Sequence, residues 1–298
     1  MLFRSLPVLL VNGIVFGAIY GINAVGLGIV YNTTDIINFA QGEFVMLGGM
    51  TTAYFYGEAG FPLALAIVGG VAVTVLVGLL AERLVIRPLW RRGAKDWTYV
   101  FMLFAVATVV PNIVMLGIGR DPLTFPAFGG LPSVQMGSVT LSSQAVWVLV
   151  VTVLVVIALQ GFFGRTMLGK AMKATAINRR VAAWLGINVE KMVAMSFGLA
   201  ALLGAIGGVV FTPLISTQFD TGLSMTLNGF AAAIIGGMGN IRGAIVGGLV
   251  IGILQSLSTA FISSVYGDAV TYAVLFVLLV IWPAGIFRPL IELQHEEI

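Results

Sequence analysis

Few residues in this 298-residue chain could do chemistry, and their types restrict what it could be. Gly164-Arg165-Thr166-Met167-Leu168-Gly169-Lys170 fits the first seven positions of a phosphate-cradling loop, in which backbone amides and a lysine hold a nucleotide. The eighth position is Ala171, where magnesium needs a hydroxyl, and an apolar run precedes the segment instead of a strand. The chain itself is therefore not expected to hydrolyse ATP. Cysteine is absent and His295 is the single histidine, which removes thiol nucleophiles, disulfides and any plausible metal-ligand set. A Ser-Lys pair would be the remaining intramembrane catalyst, and no lysine falls within an apolar run. Catalytic residues, metal ligands and cofactors are accordingly not expected, and the chain reads as a non-enzyme.

Two other stretches set polar groups against apolar sequence. Asn32-Thr33-Thr34-Asp35-Ile36-Ile37-Asn38-Phe39-Ala40-Gln41-Gly42-Glu43 runs directly into an apolar segment. Polar groups at membrane depth are costly and tend to face a water-filled path. Asn38, Gln41 and Glu43 are thus path candidates, with an ordinary cytosolic turn as the alternative. Ala231 to Ala244 places Gly236, Gly237, Gly239 and Gly243 within eight positions. That pattern reads either as a discontinuous helix whose freed backbone meets a polar solute, with Gly236, Gly237 and Asn240 as candidates, or as a tight turn anchored by Arg242.

The elements that must carry these residues are membrane helices. Charged residues make up 9% of the chain against about 25% in soluble proteins, 59% is hydrophobic, and mean hydropathy is +1.07. Apolar runs long enough to span are Pro7 to Val30, Phe61 to Ala81, Trp97 to Gly119, Gln144 to Phe163, Met192 to Thr212, Gly243 to Ser263 and Ala269 to Phe287. Phe44 to Tyr56 and Leu227 to Gly239 are too short alone and read as broken or re-entrant helices. The fold class expected is an all-α polytopic bundle of about eight or nine transmembrane segments, forming one domain over 1–298. Glycines four apart, such as Gly13, Gly17 and Gly21, or Gly243 and Gly247, mark close helix packing.

Charge gives the orientation. Eleven of the fifteen basic residues lie in two patches: Arg83, Arg87, Arg91, Arg92 and Lys95, then Arg165, Lys170, Lys173, Arg179, Arg180 and Lys191. Placing both in the cytosol puts the loop Arg120 to Ser143 outside. With the short segments crossing, the N-terminus is outside and the C-terminus inside, at the cost of leaving Arg4 on the outer side. The same rule accounts for the net charge of +3 without nucleic acid.

The second patch, a cytosolic loop over 164–191, is longer than a connection requires. Asn178 can cap a short helix that Gly186 stops, with Val181, Trp184 and Leu185 on one face and Ala182 and Ala183 beside them. A small apolar face with an aromatic anchor suits docking to a partner better than lying on lipid. The long spans carry no ionised residue, which argues against a secondary carrier driven by a coupling ion, and no filter or charged ring signals a channel. A passive pathway driven from a cytosolic partner remains, with a stand-alone carrier of small neutral solutes, or a scaffold, as alternatives.

Three stretches resemble the inner-membrane permeases of branched-chain amino-acid ABC importers over nearly the whole length. They are Asn12-Gly13, Gly17 and Tyr20 followed by Ile37 to Glu43; then Gly169, Ala171, Ala174, Ala182 and Leu185-Gly186-Ile187-Asn188; then Ile235 to Asn240 with Gly243-Ala244 and Gly247-Gly248. The resemblance implies a bacterial inner-membrane subunit that pairs with a second related permease and works with two cytosolic ATPase subunits and a periplasmic substrate-binding protein. It implies transport of branched-chain or other small neutral amino acids, while urea and short amides stay open because related permeases share these signatures. It also implies that the middle stretch docks the ATPase, making Gly169, Val181, Ala182, Ala183, Trp184, Leu185 and Gly186 the docking candidates. The loop lacks the charged residue that opens the coupling motif of some other ABC importers.

Overall fold

The helices fall into a central set and an outer, lipid-facing set. The computed structural model describes residues 2–129, 133–136 and 139–261, together with positions 269, 272–273, 276–277, 280 and 286. The elements are α1 (Leu2–Thr34), α2 (Gln41–Gly57), α3 (Leu63–Ala81), α4 (Arg87–Arg91), α5 (Asp96–Gly117), β1 (Val134–Met136), β2 (Val139–Leu141), α6 (Ser143–Arg165), α7 (Met167–Ile177), α8 (Arg179–Trp184), α9 (Val189–Ile215), α10 (Thr221–Gly236) and α11 (Ile241–Phe261). Six helical rods are long and apolar enough to cross a membrane. The shorter helices α2 and α10 pack among these rods, each preceded by a short non-helical segment. Most of the span expected over Ala269 to Phe287, and the tail residue His295, lie outside the described residues.

All-α is the fold class, apart from the two-stranded antiparallel hairpin β1–β2, which pairs Val134 with Leu141 in the loop before α6. Ends of the bundle are assigned by charge. Arg91 pairs with Glu190 at 2.9 Å, and Arg179 pairs with Asp35 at 2.6 Å. Both basic patches and the C-terminal end of α1 therefore share one face, the cytosolic one by the positive-inside rule. The opposite end is tied by a bridge between Leu123 and Thr217 and by Gln144 Nε2 donating to the Val210 carbonyl at 2.9 Å. Helix α1 thus runs from that opposite end to the basic face.

Packing follows glycine placement. A Cβ on Gly17 would lie 2.7 Å from the Gly248 carbonyl oxygen, and one on Gly13 would lie 2.7 Å from the Ile253 Cα. Antiparallel α1 and α11 meet backbone to backbone through this stripe, gaining dispersion contacts that lipid would not otherwise drive. A second close seam joins α2 to α9, where a Cβ on Gly208 would lie 2.0 Å from the Val45 carbonyl oxygen. By contrast α3, α5 and α6 expose large side chains outward, including Val68, Leu76, Phe101, Leu116 and Ile157.

One rod is longer than the sequence suggests. Helix α3 continues past Ala81 through a π turn at Glu82–Ile86 into α4. Pro88 has no N–H to give to the Leu84 carbonyl and its ring crowds that oxygen, and the wider turn relieves both conflicts. Buried Glu82 receives two hydrogen bonds from Arg87, at 3.0 and 2.9 Å, where the rod leaves the apolar layer.

Candidate translocation site and docking surface

Helix α1 ends at Thr34 and the chain reverses at Asp35, whose φ of +53° lies in the left-handed region. Residues 36–40 then climb without helical structure from the basic face into the bundle, and α2 starts only at Gln41. Asn38 Oδ1 accepts from the Ala40 amide at 3.1 Å, which closes the turn that launches the helix. Gln41 Nε2 donates to the Ala200 carbonyl at 3.1 Å, half-way along α9. The start of α2 is therefore near the middle of the bundle's thickness.

From the other side the chain does the same. After α9 ends at Ser216, with φ of +73°, residues 217–220 re-enter and α10 starts at Thr221. The two helix starts touch: the Gly42 amide donates to Thr226 Oγ1 at 3.0 Å, and Thr226 Oγ1 donates to the Phe39 carbonyl at 3.2 Å. Glu43, in the first turn of α2, packs its carboxylate against Gly222 in the first turn of α10, where a Cβ would come within 2.2 Å of Oε2.

The sequence-derived candidates divide cleanly. Asn38, Gln41 and Glu43 come together at this junction, 0%, 0% and 3% exposed. Asn38 Nδ2, Gln41 Oε1 and Glu43 Oε2 have no hydrogen-bond partner within the described chain. Such atoms cost about 1–3 kcal/mol each where no other group meets them. Glu43 lies outside the long spans, and the short helix started at Gln41 takes it into the bundle's interior. Gly236, Gly237 and Asn240 lie elsewhere, in the turn between α10 and α11 near the basic face. Gly237 and Gly239 adopt φ of +88° and +87°, Asn240 Oδ1 caps α11 by accepting from Arg242 and Gly243, and Asn32 Nδ2 donates to the Gly239 carbonyl at 2.8 Å. Of the two readings of that glycine run, the tight turn is the one the fold adopts, and the helix expected over Leu227 to Gly239 runs instead from Thr221 to Gly236.

Other residues join the junction without having been singled out from sequence. Asn23 of α1 donates to the Met225 carbonyl at 2.6 Å and leaves Oδ1 unpartnered, as does Asn228. Asn23 is one of two asparagines, with Asn12, in the otherwise apolar run Pro7 to Val30, and that was the available signal for it. Phe39 stacks on Phe104 with centroids 4.3 Å apart and lies 5.8 Å from Phe230, which no sequence spacing links. Around this cluster the bundle has an open flank: Asp220, Leu223 and Leu227 on α10 and Thr108 and Asn112 on α5 are exposed.

The loop over 164–191 forms two helices. Thr166 caps α7 by accepting from the Gly169 amide at 3.0 Å, so the glycine-lysine run is a helix start and not a phosphate loop. Asn178 Oδ1 caps α8 through the Arg180 and Val181 amides, and Gly186 ends it at φ of +81°. Val181, Trp184 and Leu185 are 43%, 83% and 73% exposed, and Ala183 and Gly186 are exposed beside them. Gly169 and Ala182 are buried instead: a Cβ on Gly169 would lie 2.2 Å from the Phe162 carbonyl oxygen, and Ala182 is 1% exposed. Those two hold the loop together and leave the outward face to the others.

Fold and site define an all-α, multi-pass membrane protein with interrupted helices meeting in its interior. Residues 9–281 match the family described as branched-chain amino acid transport system / permease component. The high-affinity branched-chain amino acid transport system permease protein LivH of Escherichia coli is 31% identical, with 94% of this chain and 95% of that protein covered. BraD of Pseudomonas aeruginosa, of the same description, is 31% identical over 95% and 96%. The ribose import permease protein RbsC of Escherichia coli is 28% identical over 89% and 82%. Among solved structures, PsaBC from Streptococcus pneumoniae in complex with Fab shares the fold at a TM-score of 0.51 and 12% identity, covering 96% of this chain and 94% of that one. The chain belongs to the family of branched-chain amino acid transport permease components.

Proposed function

We propose that this chain is one permease subunit, 1–298, of an ATP-binding-cassette importer in a bacterial inner membrane, and that it carries branched-chain or other small neutral amino acids. One observation supports this most: two helices start in the middle of the bundle beside a flank that exposes Asp220, Thr108 and Asn112. Non-helical backbone and a carboxylate at membrane depth are tolerated only against protein or a watered cavity. A flank of that kind suits half of a path completed by a second, related permease. Asn38, Gln41 and Glu43 stand one layer behind it and are the polar groups that set its character. The names of LivH and BraD favour branched-chain amino acids over urea or short amides as the solute.

Energy enters in this reading at the outward face of α8, through two cytosolic ATPase subunits, while a periplasmic binding protein delivers solute to the opposite end. Glu43 is the one observation that favours a stand-alone, ion-coupled carrier, since it places a titratable group inside the bundle. Reconstitution separates the two. Liposomes holding the complete complex should accumulate leucine only with internal ATP, and liposomes holding this chain alone should accumulate none. Uphill leucine uptake by the chain alone, under a proton or sodium gradient, would make it a carrier.

A further inference from the structure

Arg179 is the first residue of α8, the helix that carries Trp184, yet its guanidinium reaches into the transmembrane part. Its Nε donates to the Thr33 carbonyl at 3.0 Å, its Nη2 pairs with Asp35 at 2.6 Å, and its Cζ lies over the Trp90 ring, 5.5 Å from the centroid. Three different elements thus converge on one side chain: the end of α1, the reversal at Asp35, and α4. Arg can do this because its planar fork donates in two directions while its face stacks on an aromatic ring, which an ammonium cannot reproduce.

Position gives this clamp its meaning. Asp35 is the left-handed residue from which 36–40 climb to Asn38 and Gln41, so any turn of the Asp35 backbone moves the approach to the junction. At the other end, Asn178 caps α8 directly before Arg179, so a tilt of the docking helix has no flexible linker in which to dissipate. A cavity of about 260 Å³ lies beside the clamp, lined by Thr34, Ile36, Ile86, Trp90, Tyr99 and Arg179. Close-packed interiors resist small shifts, and this space lets Ile36 and Arg179 move without displacing the core. The ion pair itself contributes little to folding, since its side chains are 31% and 64% exposed.

We infer that Arg179 is the positioning residue that transmits the state of a docked ATPase from α8 to the re-entrant segment 36–40, through Asp35. The inference rests on the docking reading above. Because the chain has no cysteine, Ile37→Cys can carry a single environment-sensitive fluorophore on that segment. In the complete complex, adding ATP with vanadate should shift its emission, and Arg179→Ala should abolish the shift while the ATPase subunits still bind. Leucine uptake by Arg179→Ala should fall by roughly tenfold or more, within the usual range of coupling between sites. Arg179→Lys should lie between, and exchanging the charges as Asp35→Arg with Arg179→Asp should recover part of the loss.

A normal shift and uptake within about twofold of the parent in Arg179→Ala, well inside the weakest coupling, would overturn the inference. So would loss of ATPase binding in that variant, which would make Arg179 a contact and not a transmitter. Should Arg179→Ala fail to fold, Asp35→Asn serves in its place with the same outcomes. If the parent chain binds no ATPase subunit at all, the docking reading itself falls.

Discussion

Truncating Trp184 to alanine should detach the ATPase while leaving the permease intact. The indole is 83% exposed and touches little of its own subunit, so its loss costs the fold almost nothing. In a docked complex the same surface would be covered. A tryptophan side chain carries about 200 Å² of surface, and at roughly 25 cal/mol per Å² its exposed part corresponds to at most about 4 kcal/mol. Incomplete burial and side-chain ordering reduce that to about 2–3 kcal/mol, a loss of roughly 30- to 150-fold in affinity. Titrating purified ATPase subunits onto the permease in nanodiscs measures this directly, with thermal unfolding of the permease as the control. An affinity within about threefold of the parent, below the roughly 1 kcal/mol that most interface residues do not exceed, would refute the docking face. A change in the variant's partition onto vesicles, with ATPase affinity unchanged, would point to a lipid-lying helix.

Two further perturbations test the interior. Gly248→Val should separate α1 from α11, because its Cβ would lie 2.4 Å from the Gly21 amide nitrogen, and backbone cannot yield as a side chain does. The expected cost is about 1–3 kcal/mol or more, read as a lowered melting temperature in detergent, whereas Gly161→Val on open α6 should melt like the parent. Gln41→Leu keeps volume but removes the bond to Ala200, and Asn38→Leu removes the turn-closing oxygen. Both should reduce uptake by about tenfold while assembly and basal ATP hydrolysis persist, as one lost polar contact of about 1.4 kcal/mol implies. Unchanged uptake in either would assign that residue to structure alone.

Much of this was readable from the chain because a membrane simplifies the problem. Apolar length and basic loops fix where helices cross and which face they turn to the cytosol, and both follow from the cost of charge in lipid. Caps were equally plain: Asn178 and Gly186 bound α8 as their residue types demand. Family membership was legible in the short stretches that carry the resemblance.

Tertiary structure decided the rest, for reasons that local pattern cannot hold. A half-helix that starts at Gln41 and one that starts at Thr221 look alike to a hydropathy scan as shortened spans. Only their meeting places Glu43 on Gly222 in the interior and leaves Asn38 and Gln41 with unpartnered atoms. The glycine run at 236–243 read equally as a broken helix or a tight turn, and it became a turn because α11 had to return along α1. Gly169 and Ala182 share a loop with Trp184, and burial alone separates the residues that hold that loop from those that face outward. Pairings such as Arg179 with Asp35 join positions far apart in the chain, and proximity of that kind exists only once the helices have packed.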